Sequence, residues 1–112
     1  MRAKDRPLAW LHREIKSPPF SATARLEAGS LLRAIQIGEK LGMPHSRPMP
    51  GIGARCHELR VNDEGRTWRV MYRIDPDAIL ILDVFEKKTK QTPAPVMDKC
   101  RRRLRHYEEN RP

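Results

Sequence analysis

"ARCHELRVNDEGRTWRVMYRI" (54–74) carries the reading on which the fold turns. Apolar and polar residues alternate on both sides of "NDEG", the pattern of strands with one face buried. "NDEG" ends in a glycine able to take positive φ, so the two runs predict a hairpin with a four-residue turn over 62–65. "DPD" (75–77) makes a second turn, and "AILILDVFEKK" (78–88) supplies the third strand of a meander.

The period of two sorts these strands into two faces. One carries Leu59, Val61, Trp68, Val70, Tyr72, Leu80, Leu82 and Val84, a core face for the helices to cover. The other carries Glu58, Arg60, Arg69, Met71, Arg73, Asp83, Phe85 and Lys87. Cations from three neighbouring strands converge there. Antiparallel sheets commonly leave a polar face to solvent, so a merely solvated face is one reading. A phosphate-binding face is the other, favoured by the excess of Arg over Lys, because guanidinium suits forked contacts with phosphate. Ile79, Ile81, Met71 and Phe85 share this second face by parity, so part of it must be shielded by a partner or by the ends of the chain.

Outward from the meander, "SATARLEAGSLLRAIQIGEKLG" (21–42) is the longest helical signal. Ala24, Ala28, Leu31, Ile35 and Gly38 form one stripe, Ser21 is the expected N-cap, and Gly42 and Pro44 the expected stop. "PLAWLHREI" (7–15) predicts a first strand or extended arm, and "KSPPF" breaks regular structure. "GMPHSRPMPGIG" (42–53) reads as loop. After "TPAP", "VMDKCRRRLRHYEE" (96–109) predicts a terminal helix with Val96, Cys100, Leu104 and Tyr107 as its apolar stripe.

The chain has 112 residues, with no internal repeat and no composition shift that would mark a second domain, so 1–112 is expected to be a single domain. Twenty-three Lys and Arg against fourteen Asp and Glu give a net charge of +9. Such an excess favours nucleic acid, an acidic protein or an anionic surface as partner. No apolar run approaches the roughly 20 residues that span a bilayer, and the basic N-terminus lacks an uninterrupted apolar centre. A cytoplasmic protein without a membrane contact is expected, with Cys56 and Cys100 as reduced thiols.

"GIGARCHELRVNDEGRTWRVMYRI", "AILILDVFEKKTKQTP" and the basic helix, in that order, resemble the RelE/ParE superfamily of bacterial toxins, and most closely its HigB-like, phage-related branch. The resemblance implies a small α+β domain, one or two N-terminal helices packed on a twisted antiparallel sheet with a C-terminal basic helix. It implies the toxin of a type II toxin–antitoxin pair, neutralised by an antitoxin that is often a helix-turn-helix protein. Contact with operator DNA would come only through that complex. The better-studied relatives cut mRNA on the translating ribosome, as metal-independent endoribonucleases. By position, Arg60, Arg69 and Lys87 match basic residues of the working face. Glu58 stands where some members carry lysine, and Thr92 and Pro93 occupy the region where cleaving members place a Tyr or His.

Metal-free cleavage of RNA by its own 2′-hydroxyl needs a base, cations on the crowded phosphate and an acid for the leaving oxygen. Glu58 is the candidate base, Arg60 and Arg69 the phosphate ligands, and Lys87 the acid; alternatively Glu58 only bridges the arginines. Arg66, Arg73, Lys88, Lys90, Arg101, Arg102 and Arg105 are candidate RNA contacts. His12, His45, His57 and His106 are scattered, His57 points off the basic face, and Cys56–His57 is a poor metal pair because neighbouring strand residues diverge. No cofactor or metal is expected. Two other functions fit the same charge: a non-catalytic toxin that binds a protein such as DNA gyrase, as ParE-type relatives do, and a basic RNA-binding module.

Overall fold

The computed structural model describes residues 5–11 and 20–111. The fold is α+β. Its elements run β1 (Leu8–Trp10), α1 (Ala22–Gln36), β2 (Ser46–Pro48), β3 (Cys56–Asp63), β4 (Arg66–Ile74), β5 (Ile79–Lys87) and α2 (Ala94–Glu109). The strands form one five-stranded sheet in the order β1-β5-β4-β3-β2. The meander β3-β4-β5 is antiparallel as the alternation predicts, but β1 joins β5 in parallel, so the sheet is mixed. Of the expected first strand, Leu8–Trp10 is strand, and residues 12–19, His12 and "KSPP" among them, lie outside the described residues.

Ser21 caps α1 as expected, its hydroxyl accepting from the Ala24 amide at 3.2 Å. The Ser21 amide in turn donates to Asp63 Oδ2 at 3.0 Å, which fixes the helix start against the end of β3. The helix ends earlier than the sequence suggests. Gly38 takes φ +97°, and its amide and that of Glu39 bond back to the Ile35 and Ala34 carbonyls. That is a Schellman closure, so Gly38 is the residue after the cap and not a member of the apolar stripe.

Two other expectations about the connections need correction. The hairpin turn is two residues long, Glu64 and Gly65 at φ 44° and 85°, because a tight turn with both central residues in the left-handed region matches the twist of the strands. The segment 42–53 is not all loop: Ser46–Pro48 pairs with β3, Arg47 opposite Glu58. Proline is tolerated there because β2 is an edge strand.

The face assignment holds for β3 and β4 and fails for the first half of β5. Met71 pairs with Asp83, but Tyr72 pairs with Ile81, so Leu82 is one residue too many. This β-bulge inverts the parity of everything before it. Ile79 and Ile81 therefore join Leu59, Val61, Trp68, Val70 and Tyr72 beneath Ala24, Ala28 and Ile35 of α1. Leu80 and Leu82 turn instead to the opposite face with Met71 and Cys56.

That opposite face is not open along its whole length. The helix α2 covers half of it with Cys100 and Leu104, flanked by Val96, Met97 and Tyr107. The two helices thus lie on opposite faces, not on one. Here the shield that apolar residues on a cationic face require is the C-terminal helix. Its far end is fastened by Arg73, which donates to Asp75 at 2.7 and 2.9 Å and to Glu108 at 2.5 Å.

Gly38 has open space around it, so a methyl group there would strain only the backbone. Gly38→Ala is expected to lower unfolding stability by about 1 kcal/mol. Gly42→Ala, also in open space and without a positive φ, should change it by less than about 0.5 kcal/mol, both read by urea denaturation.

Candidate nucleic-acid interface

Where α2 leaves the sheet uncovered, the charged residues of three strands meet. Their centre is a carboxylate. Glu58 is fully buried, and both of its oxygens are occupied. Oε1 accepts from Arg47 Nε at 3.1 Å and lies 3.6 Å from Arg60 Nε. Oε2 accepts a short bond from Arg69 Nη1 and another from the Thr92 hydroxyl at 3.2 Å.

The strand registers explain this convergence. Arg60 and Arg69 are direct cross-strand partners, Arg47 sits opposite Glu58, and Phe85 flanks Arg69 on β5. Lys87, two residues beyond Phe85, points to the same face and is close enough to feel the cluster. Its pKa is lowered by desolvation and then by the Arg69 and Arg60 guanidinium groups. Four cations thus surround one carboxylate, an excess of three positive charges.

Much of that donor capacity is unspent. Arg69 is fully buried, yet its Nε and Nη2 have no hydrogen-bond partner, and neither does Arg60 Nε. Desolvation pulls the Arg69 pKa down while Glu58 opposes the shift. A buried guanidinium with free N–H groups is costly unless an acceptor arrives. Arg47 and Arg60 remain partly exposed, at 33% and 28% of their side chains. An oxyanion at this end of the sheet would meet exposed and buried donors together.

The structure brings together Glu58, Arg60, Arg69 and Lys87 and adds two residues that the sequence reading did not select. Arg47 was hidden by the prolines around it, which read as loop. Thr92 stands in the connection to α2, where a hydroxyl carries no pattern. Arg73 lies at the other end of the face, nearly buried and closed by Asp75 and Glu108, so it is not brought to the cluster. Lys88, Lys90, Arg102 and Arg105 are exposed, as is Arg101, which also bonds Asp98 and the Gly51 carbonyl. Arg66 is exposed next to the hairpin turn. His57 stacks on Tyr72 with ring centroids 5.3 Å apart, on the α1 side of the sheet, and burial lowers its pKa. Among the described residues no group of three metal-ligating side chains occurs.

The sequence matches the family described as Phage derived protein Gp49-like (DUF891) over residues 18–105, well over half of the chain. The chain belongs to the Gp49-like family. That family is a toxin-like group within the RelE/ParE-like superfamily. Among curated proteins and among solved structures, none matches the chain. The matched span of this Gp49-like chain contains α1, the whole meander, Thr92 and α2 to Arg105, hence every residue of the cationic cluster. Among its described residues no helix is long and apolar enough to cross a membrane.

Removing the central carboxylate should be far more damaging than removing a rim cation. Glu58→Ala would leave Arg69 buried and unpaired, a loss of about 3 kcal/mol or more by urea denaturation. Glu58→Ala combined with Arg69→Met should recover part of that loss, because the stranded charge is gone. A Glu58→Ala protein within about 1 kcal/mol of the parent would show that the carboxylate does not anchor the cluster.

Proposed function

We propose that this Gp49-like protein is the toxin of a type II toxin–antitoxin pair, of HigB-like type, and that it stops translation by cutting mRNA on the ribosome. One observation carries this reading: Arg47, Arg60, Arg69 and Lys87 converge on a buried carboxylate with guanidinium N–H groups still unspent. A phosphodiester is the acceptor that such donors fit.

The chemistry follows from placement. The RNA 2′-oxygen attacks phosphorus, the bond to the 5′-oxygen breaks, and a cyclic phosphate and a 5′-hydroxyl result. Negative charge grows on the non-bridging oxygens, which Arg60 and Arg69 stabilise most in the transition state. Lys87 protonates the leaving 5′-oxygen, and its lowered pKa makes it the better donor. Glu58 is sealed on both oxygens, so it serves as the anchor that aims the arginines, and the 2′-hydroxyl proton passes to solvent.

Exposed Lys88, Lys90, Arg101, Arg102 and Arg105 extend the positive surface toward ribosome and mRNA. The neutralising partner is a cytoplasmic antitoxin of acidic or amphipathic character, a helix-turn-helix protein that carries the complex to operator DNA. Exposed apolar side chains such as Trp10 and Leu26 beside so much charge give it a surface to cover.

Induced expression tests the reading. Lys87→Ala should relieve growth arrest, and Lys88→Ala should do so much less, since Lys88 is exposed beyond the end of β5 while Lys87 stands close enough to Arg69 and Arg60 to have its pKa lowered by them. Arg69→Lys keeps a charge beside Glu58 but loses the planar fork, and should lower cleavage on the order of a hundredfold. Translation should fail while DNA supercoiling is unchanged, and RNA binding should weaken steeply with salt. Folded Lys87→Ala and Arg69→Lys proteins as toxic as the parent would overturn it.

A further inference from the structure

The residue with the most unspent donors is also the one that no substrate can touch. Arg69 is fully buried, whereas the phosphate-binding reading requires its guanidinium to reach an oxyanion. In the plane of the sheet it is flanked by Arg60 and Phe85, and those neighbours belong to the floor of the site. Among the described residues, the one side-chain hydrogen bond made to this cluster from outside the sheet is that of Thr92, 3.2 Å from Glu58 Oε2. The same oxygen receives Arg69 Nη1, so the Thr92 hydroxyl and the Arg69 guanidinium meet at one atom.

We infer that Thr92 is a positioning residue that latches the Lys88–Pro93 connection over Arg69, and that the site takes its phosphodiester only when this hydrogen bond is released. The inference rests on the phosphate-binding reading above and adds to it how the site is kept closed.

Three features of the connection suit a latch. Lys88 to Gln91 are exposed and belong to no helix or strand, and the Thr92 bond at their end ties them to the site. Within it, the Thr89 hydroxyl donates to the Gln91 carbonyl at 2.7 Å, which keeps the stretch compact as it moves. Pro93 follows as the N-cap of α2, its carbonyl accepting from the Val96 and Met97 amides at 3.0 and 3.2 Å, so the connection is fixed at its helix end and lifting would pivot there. Lifting the connection costs one hydroxyl–carboxylate bond and frees an acceptor position on Glu58. An arriving phosphate offers Arg69 Nε and Nη2 the partners they lack, which offsets the loss. Lys88 and Lys90 ride on the same connection and supply the attraction that would draw it toward RNA.

The test separates the latch from the RNA reading. Arg69 in the folded full-length protein is labelled with phenylglyoxal, an arginine-specific dicarbonyl, and the rate is read by peptide mass spectrometry. Thr92→Val, which keeps the shape and removes the hydroxyl, should label Arg69 about fivefold faster than the parent, the factor expected for one hydrogen bond of this kind. Thr92→Ser should label at the parent rate. An unchanged or slower rate in Thr92→Val, with circular dichroism showing a native fold, overturns the latch. In parallel, a short 2′-O-methyl RNA, which cannot be cleaved, should bind Thr92→Val severalfold tighter than the parent; weaker binding also overturns the latch. If parent and Lys87→Ala bind that RNA equally, the phosphate-binding reading fails, while the labelling result still decides whether Thr92 closes the site.

Discussion

A carboxylate with no access to water governs this molecule. Glu58 lies at the point where the edge strand β2, the strands β3 and β4 and the connection to α2 come within one hydrogen bond of each other. Buried charge is tolerated only when its partners are close and its lone pairs are used. Meeting that requirement fixes the register of β2 on β3, aims Arg69 and Arg60, and brings the start of α2 back to the sheet. A surplus of positive charge is left over once that one carboxylate is satisfied.

The far face of the sheet carries an ionic cluster at each end, and between them an apolar patch bordered by Asp83 with Arg103 and Lys99 of α2. At one end Asp75 receives Arg73 and also Arg55, and Glu108 ties in the last turns of α2. In the middle Cys100 and Leu104 seal Met71, Leu80 and Leu82. Burial there pushes the thiols of Cys56 and Cys100 up to about 11 and about 12, so neither is a reactive group at neutral pH. At the other end lies the Glu58 cluster. Acid and base are matched at the first end, whereas at the second the cations outnumber the acids.

The sequence made the meander, both helices and the cap of α1 legible because each rests on local chemistry: alternation, a 3.6-residue stripe, a serine before a helix. It also placed Glu58, Arg60, Arg69 and Lys87 on one face, since β3, β4 and the last half of β5 keep strict parity. It misplaced Ile79, Ile81, Leu80 and Leu82, because all four are aliphatic and nothing in "ILIL" marks an extra residue. Only the pairing with Met71 and Tyr72 reveals the bulge, and pairing is a tertiary fact. Arg47 and Thr92 were lost for a related reason. One sits among prolines and the other in a connection, and both owe their position to Glu58, not to their neighbours in sequence.

The parallel pairing of β1 with β5 has a consequence for how the protein is made. Leu8 to Trp10 leave the ribosome early, but their partners Ile79 to Ile81 come some seventy residues later. A chain synthesised from its N-terminus must hold that first strand unpaired until the meander is nearly complete. The Lys88–Pro93 connection and α2 emerge later still, after every strand of the sheet. The cationic face is therefore complete only once Lys87 has been added, and α2, sixteen residues that close the apolar half, follows it. The interval before α2 docks is thus the period in which Met71, Leu80 and Leu82 stand open to water.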